Sequence, residues 1–179
     1  MEQLIITEKL FKDSGPIKED VIVSKFVPYI SLAQALRIEP ILGKALLEEL
    51  QEQVKTDTLT ALNSALILKI APALTFYSIY QGLPFHWAAI QNKGVTVRES
   101  ENSKAVDGDG LAQQRRYVLD DAQAFARRLI DYLCECKEDY PLWRPDRGCG
   151  CPGSGEGSDE LRANAGIFFK RKGGRRYDR

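Results

Sequence analysis

The chain has 179 residues, enough for one domain plus extensions. Hydrophobic residues make up 44% of it and charged residues 28%, with 25 basic and 25 acidic side chains that cancel. The zero formal charge argues against a general nucleic-acid binder, though not against a local basic patch. The first residues, Met1 to Lys12, lack a cationic stretch followed by a long apolar run, so no signal peptide is expected. The most apolar stretch, 70–90, is interrupted by Pro72, Gln81, Pro84 and His86. A membrane-spanning helix needs ~20 mostly apolar residues, so none is expected, and the chain reads as soluble and made in a cytoplasm.

In chain order, Leu4, Ile5 and Ile6 form a short apolar run, a strand or an anchoring arm. Thr7 is placed to cap a short helix that Gly15 and Pro16 end, and 18–23 suits a second short helix. The main helical body begins near Ser24, where Val27, Ile30, Ala33 and Leu36 recur at helical spacing and Pro28 sits in the first turn. Pro40 marks a break, and a helix reads on from Glu39, with Ile41, Leu42, Ala45, Leu46 and Leu50 as its apolar stripe. Residues 56–60 are polar, and Asp57 or Thr58 is the expected cap of the next helix.

That helix continues through Leu62, Ala65, Leu66, Lys69, Ile70 and Ala73, with a kink expected at Pro72 and an end near Gly82. Pro84 to Trp87 would start a separate apolar helix or turn. Gly94 to Arg98 alternates apolar and polar residues, which suits a strand, and 99–110 reads as a long loop or the rest of a hairpin. The strongest helix runs from about Leu111 to Cys136, striped by Leu111, Val118, Ala122, Phe125, Leu129 and Leu133. Beyond Tyr140 glycine and proline become frequent, and the last ten residues are strongly basic. The expected organisation is an N-terminal arm (1–23), a helical domain (24–140) with a loop or hairpin insertion (93–110), and a C-terminal extension (141–179). The fold class is mainly α, a bundle of about four or five helices with that insertion and an extended arm.

The four cysteines form two Cys-x-Cys pairs, Cys134/Cys136 and Cys149/Cys151. Four thiolates can build a tetrahedral structural zinc site, although the spacing is shorter than usual. Residues two apart on a helix also point roughly 200° from each other. Four reduced thiols are the alternative, and disulfides suit a cytoplasmic product poorly. His86, the single histidine, lies between Phe85 and Trp87 without a nucleophile motif nearby, so it reads as a packed side chain. Asp107, Gly108, Asp109 and Gly110 lack the further ligands of a calcium loop and read as a turn. No nucleophile with a base and no pair of carboxylates in a pocket stands out, so no enzyme activity is expected.

Aromatic and basic residues interleave in the tail: Phe168, Phe169, Lys170, Arg171, Arg175, Arg176 and Tyr177. They suit a groove on another protein, with aromatics as anchors and arginines on carboxylates. Phosphate contact or a solvated tail are the other readings. In the insertion, Lys93, Arg98, Glu99, Glu101 and Lys104 are candidates for contact with a neighbour or a channel.

Three runs carry a resemblance: FVPYISLAQALRIEPILGKALLEEL (26–50), LKIAPALTFYSIYQGLPFHWAAIQNKGV (68–95) and RRLIDYLCECKEDYPLW (127–143). Together they resemble the small helical head–tail connector proteins of tailed bacteriophages, also called adaptor, head-completion or ring proteins. The version in phages of Bacteroides-type bacteria, including the crAss-like phages, is the nearest in phrasing. The resemblance implies a ring, usually of about twelve copies related by head-to-tail contacts, placed between portal and tail in the virion. Such a ring extends the DNA channel, lets DNA pass without sequence-specific binding, and docks tail or further connector proteins. It implies no cofactor and no membrane. The rival expectation is a zinc-stabilised nucleic-acid-binding or regulatory module using the four cysteines and the basic end.

Overall fold

The computed structural model describes residues 3–17, 20–91, 94–97 and 107–145. They form a mainly helical bundle: α1 (Glu8–Asp13), α2 (Val27–Ala33), α3 (Glu39–Leu42), α4 (Lys44–Thr56), α5 (Ala61–Trp87) and α6 (Gly108–Glu135). A two-stranded antiparallel hairpin, β1 (Ala88–Gln91) with β2 (Gly94–Val97), lies between α5 and α6. Of the strand expected at 94–98, Gly94–Val97 is present and position 98 lies outside the described residues, and the partner at 88–91 had no alternation to announce it.

The N-terminal arm is anchored by a side chain that imitates a neighbouring strand. Gln34, fully buried, accepts a hydrogen bond from the Ile5 backbone N–H through Oε1 (3.1 Å) and donates to the Gln3 carbonyl through Nε2 (3.0 Å). Ile5 and Ile6 are thereby buried and join the core. Thr7 then caps α1 as expected, its hydroxyl accepting from Leu10 N–H at 3.2 Å. The short helix expected at 18–23 is absent over Asp20, Val21 and Ile22. Only a 3₁₀ turn, Val23–Lys25, precedes α2.

Between α2 and α3 the chain makes a π-helical turn, Gln34–Ile38. A π turn holds one residue more than an α turn, and here the next buried apolar residue after Ala33 is Ile38, with the buried Gln34 between them. Leu36, expected on the stripe, is consequently 56% exposed. The single helix expected from Glu39 is divided by Gly43, whose φ of +78° is open to glycine at little cost. The break rotates the stripe again, so Leu47 is buried and Ala45 exposed. A second reason for glycine is the Arg144 backbone, which passes where a Cβ would stand. Trp143 Nε1 donates to the Ile41 carbonyl at 2.8 Å, satisfying part of a helix end that has no partner of its own.

Asp57 is the left-handed C-cap of α4, and the cap of α5 is Thr60, whose Oγ1 accepts from Asn63 N–H at 3.1 Å. The buried Asn63 side chain ties the two helices, donating to Glu49 (3.0 Å) and Gln53 (2.9 Å). The expected end of α5 at Gly82 does not occur. The helix runs through Pro72 and Pro84 to Trp87, packing against α2 and, most extensively, α6. It is long and apolar enough to cross a membrane by length and composition, but more than half of that stretch is buried within the bundle. The Asp107 to Gly110 segment, expected as a turn, begins α6. Asp107 is the N-cap, its carboxylate accepting from Gly110 N–H at 2.8 Å.

Candidate assembly surface

Among the described residues most of the exposed large apolar side chains fall into two groups, one toward each end of α5, with Ile22 and Tyr117 exposed in addition. At the C-terminal end, Phe85 is 45% exposed and stacks on Tyr29 of α2, ring centroids 5.6 Å apart. Leu32 on α2 and Leu36 in the π turn that follows it are also exposed. The group stands on a packed aromatic base. His86 stacks on Phe26 at 4.4 Å, Phe26 meets Phe11 at 5.7 Å, and Gly82 lets Tyr29 and Phe26 come close to the α5 backbone. His86 is thus the packed side chain expected from its aromatic neighbours.

Arg37 follows Leu36 immediately. Its guanidinium lies over the buried Tyr77 ring, 5.6 Å from the centroid, and its Nε is buried without a hydrogen-bond partner. Burial pushes the Tyr77 hydroxyl above its ordinary pKa, against the pull of Arg37 and Arg127. On α6, Arg115 sits similarly over Tyr80 at 4.5 Å.

At the N-terminal end of α5, Leu59, Leu62 and Leu68 are exposed, Leu68 by 59%. The segment after α6 folds back here: Tyr140 donates to the Leu62 carbonyl and pairs with the Tyr132 hydroxyl, each at 3.2 Å. Burial first, and then the Tyr132 hydrogen bond, hold the Tyr140 hydroxyl above its ordinary pKa. This fold-back brings the exposed Leu142 to the same end.

Of the metal candidates, Cys134 is disulfide-bonded and Cys136 is a free thiol. A disulfide sulfur supplies no thiolate to a metal, so the zinc reading requires Cys134 in its reduced form. Among the described residues no group of three or more His, Cys, Asp or Glu could hold a metal ion. Cys149 and Cys151, the loop candidates Lys93, Arg98, Glu99, Glu101 and Lys104, and the tail candidates Phe168, Phe169, Lys170, Arg171, Arg175, Arg176 and Tyr177 all lie outside the described residues. The exposed side chains were missed by sequence reasoning, which put Leu36 on the core stripe with Val27, Ile30 and Ala33 and did not single out Tyr29 or Leu32. The signal that was available is that Ile30 and Ala33 compete for the same core, and one short helix cannot bury both sides.

Fold and surface define a mainly helical bundle with two separate uncovered apolar patches. The chain belongs to the family of unknown function DUF6712, whose model matches residues 38–153. The matched span holds α3 to α6 and the Trp143 tie, while the N-terminal arm, α1 and α2 precede it. No curated protein and no solved structure matches the chain.

Proposed function

We propose that this chain is a structural virion protein, a head–tail connector subunit that assembles into a ring between portal and tail. The observation that carries the reading is the pair of uncovered apolar groups, one toward each end of α5. Single exposed leucines are ordinary on any surface, whereas grouped ones mark contact sites. Leu62 and Phe85 lie roughly 35 Å apart along α5, at about 1.5 Å rise per residue. Two different patches so separated suit head-to-tail contacts, which close into a ring when the rotation permits. An isologous dimer would instead need one self-complementary patch. The resemblance of 26–50, 68–95 and 127–143 to phage connectors supports the same reading and supplies the partners: portal, tail proteins and passing DNA.

In this reading the mechanism is assembly and the chain has no active site. Helical bodies pack side by side, and the tail residues from Phe168 to Tyr177 reach the portal or a neighbour. A stable contact buries about 800 Å² per partner, and arms let a small domain reach that area. Electron microscopy of the purified chain mixed with its portal tests the proposal. Rings stacked on the portal are expected, and monomers that persist with portal present would refute it.

A further inference from the structure

Each patch carries charged side chains of its own, with Lys69 over the Tyr132 ring at the Leu62 end. Beside the Phe85, Tyr29, Leu32 and Leu36 row sits Arg37, half-buried, its guanidinium resting on Tyr77 and its Nε without an acceptor. Glu39, two residues on, makes no ion pair with it. Beside Leu59, Leu62 and Leu142 lies the turn that ends α6, where Glu138 and Asp139 are exposed, and Asp57 is exposed at the end of α4. Lys137 and Arg144 flank that turn. Among the described residues none of Asp57, Glu138 or Asp139 makes an ion pair.

A guanidinium held flat on an aromatic ring is pre-oriented, so less freedom is lost when it meets a carboxylate. Tyrosine and arginine beside partly covered apolar side chains are also the composition in which binding energy concentrates at protein interfaces. We infer that the row led by Phe85 and Leu36 receives the Leu62 and Leu142 patch of a second copy of this chain, with Arg37 pairing with the Glu138–Asp139 turn of that copy. The inference rests on the proposed ring assembly and names its joint. The apolar parts supply the buried area, and the pairing of Arg37 with the Glu138–Asp139 turn favours row against patch.

The test is a charge exchange in the full chain, read by sedimentation velocity at low ionic strength. Arg37→Glu and the double variant Glu138→Arg/Asp139→Arg are each expected to weaken self-association about tenfold or more, as loss of a specific charge pair does at other interfaces. An equimolar mixture of the two variants is expected to recover it, because each restores the opposite charge to the other. Leu36→Asp, at an exposed position that leaves the core intact, is expected to abolish association with an unchanged melting temperature. Variants that associate like the unaltered protein, or a mixture that fails to recover, overturn the inference. Imaging with the portal separates the two levels. Rings formed equally well by Arg37→Glu overturn this joint and leave the connector reading standing, whereas an unaltered chain that never assembles overturns both.

Discussion

Gly43 shows how one residue can decide a junction. Its positive φ and the Arg144 backbone lying where a side chain would begin are two independent demands for glycine. Gly43→Ala is expected to cost about 2 kcal/mol or more through combined backbone strain and clash, read as a lower denaturation midpoint. Tyr140 and Tyr77 make the fold sensitive to alkali. Both phenols are held above their ordinary pKa when folded, so above about pH 10 the unfolded chain loses protons that the folded chain keeps. Their contribution is therefore complete below that pH and declines as pH rises. Tyr140→Phe is expected to cost about 1 kcal/mol at neutral pH for its lost hydrogen bonds, and to make the alkaline decline shallower. An equally steep decline in the variant, followed by circular dichroism from pH 8 to 11, would contradict this assignment.

At the scale of elements, α5 is apolar on every side, yet the bundle covers only part of it. Leu66, Ile70 and Leu74 are fully buried, whereas Leu62 and Leu68 face outward. Leu74→Ala is expected to cost about 2–5 kcal/mol from lost burial and the remaining cavity. Leu68→Glu should change stability by less than about 0.5 kcal/mol, as surface substitutions do. Chemical denaturation of the two variants checks the contrast, and a large loss from Leu68→Glu would mean that this face is covered within the monomer.

The same helix shows what periodicity can and cannot reveal. The long stripe of α6 was legible, as were Thr7 as a cap and a mainly helical fold; of the stripe expected on α5, Leu66, Ile70 and Ala73 are buried but Leu62, Ala65 and Lys69 are exposed. The errors gather where backbone geometry departs from an α-helix. The π turn at Gln34–Ile38 moved Leu36 outward, and Gly43 turned Ala45 out and Leu47 in. A proline read as an end was accommodated at Pro84 because the helix had already gathered its packing against α2 and α6. Caps were also misplaced, to Asp57 or Thr58 in place of Thr60, since several neighbouring side chains have the same chemistry. The exposed row was least legible of all, because an interface and a core use the same residue types.

For the whole molecule, the segments before and after the helical body are both tied back to it. The arm enters through Gln34, and the segment after α6 returns through Tyr140 and Trp143 to Leu62 and Ile41. Residues 166–179 lie beyond these ties. Their removal is expected to leave the thermal unfolding of the body unchanged while weakening the portal docking proposed for the chain, and unchanged docking by the shortened chain would exclude an arm. The central claim is that the two uncovered patches exist to be buried between copies of the chain. The most direct measurement is electron microscopy of the full chain with its portal. The account predicts closed rings with every subunit placed head to tail, so that the Phe85 row of each meets the Leu62 end of the next. Monomers alone, or a two-fold dimer that joins identical patches, would contradict it.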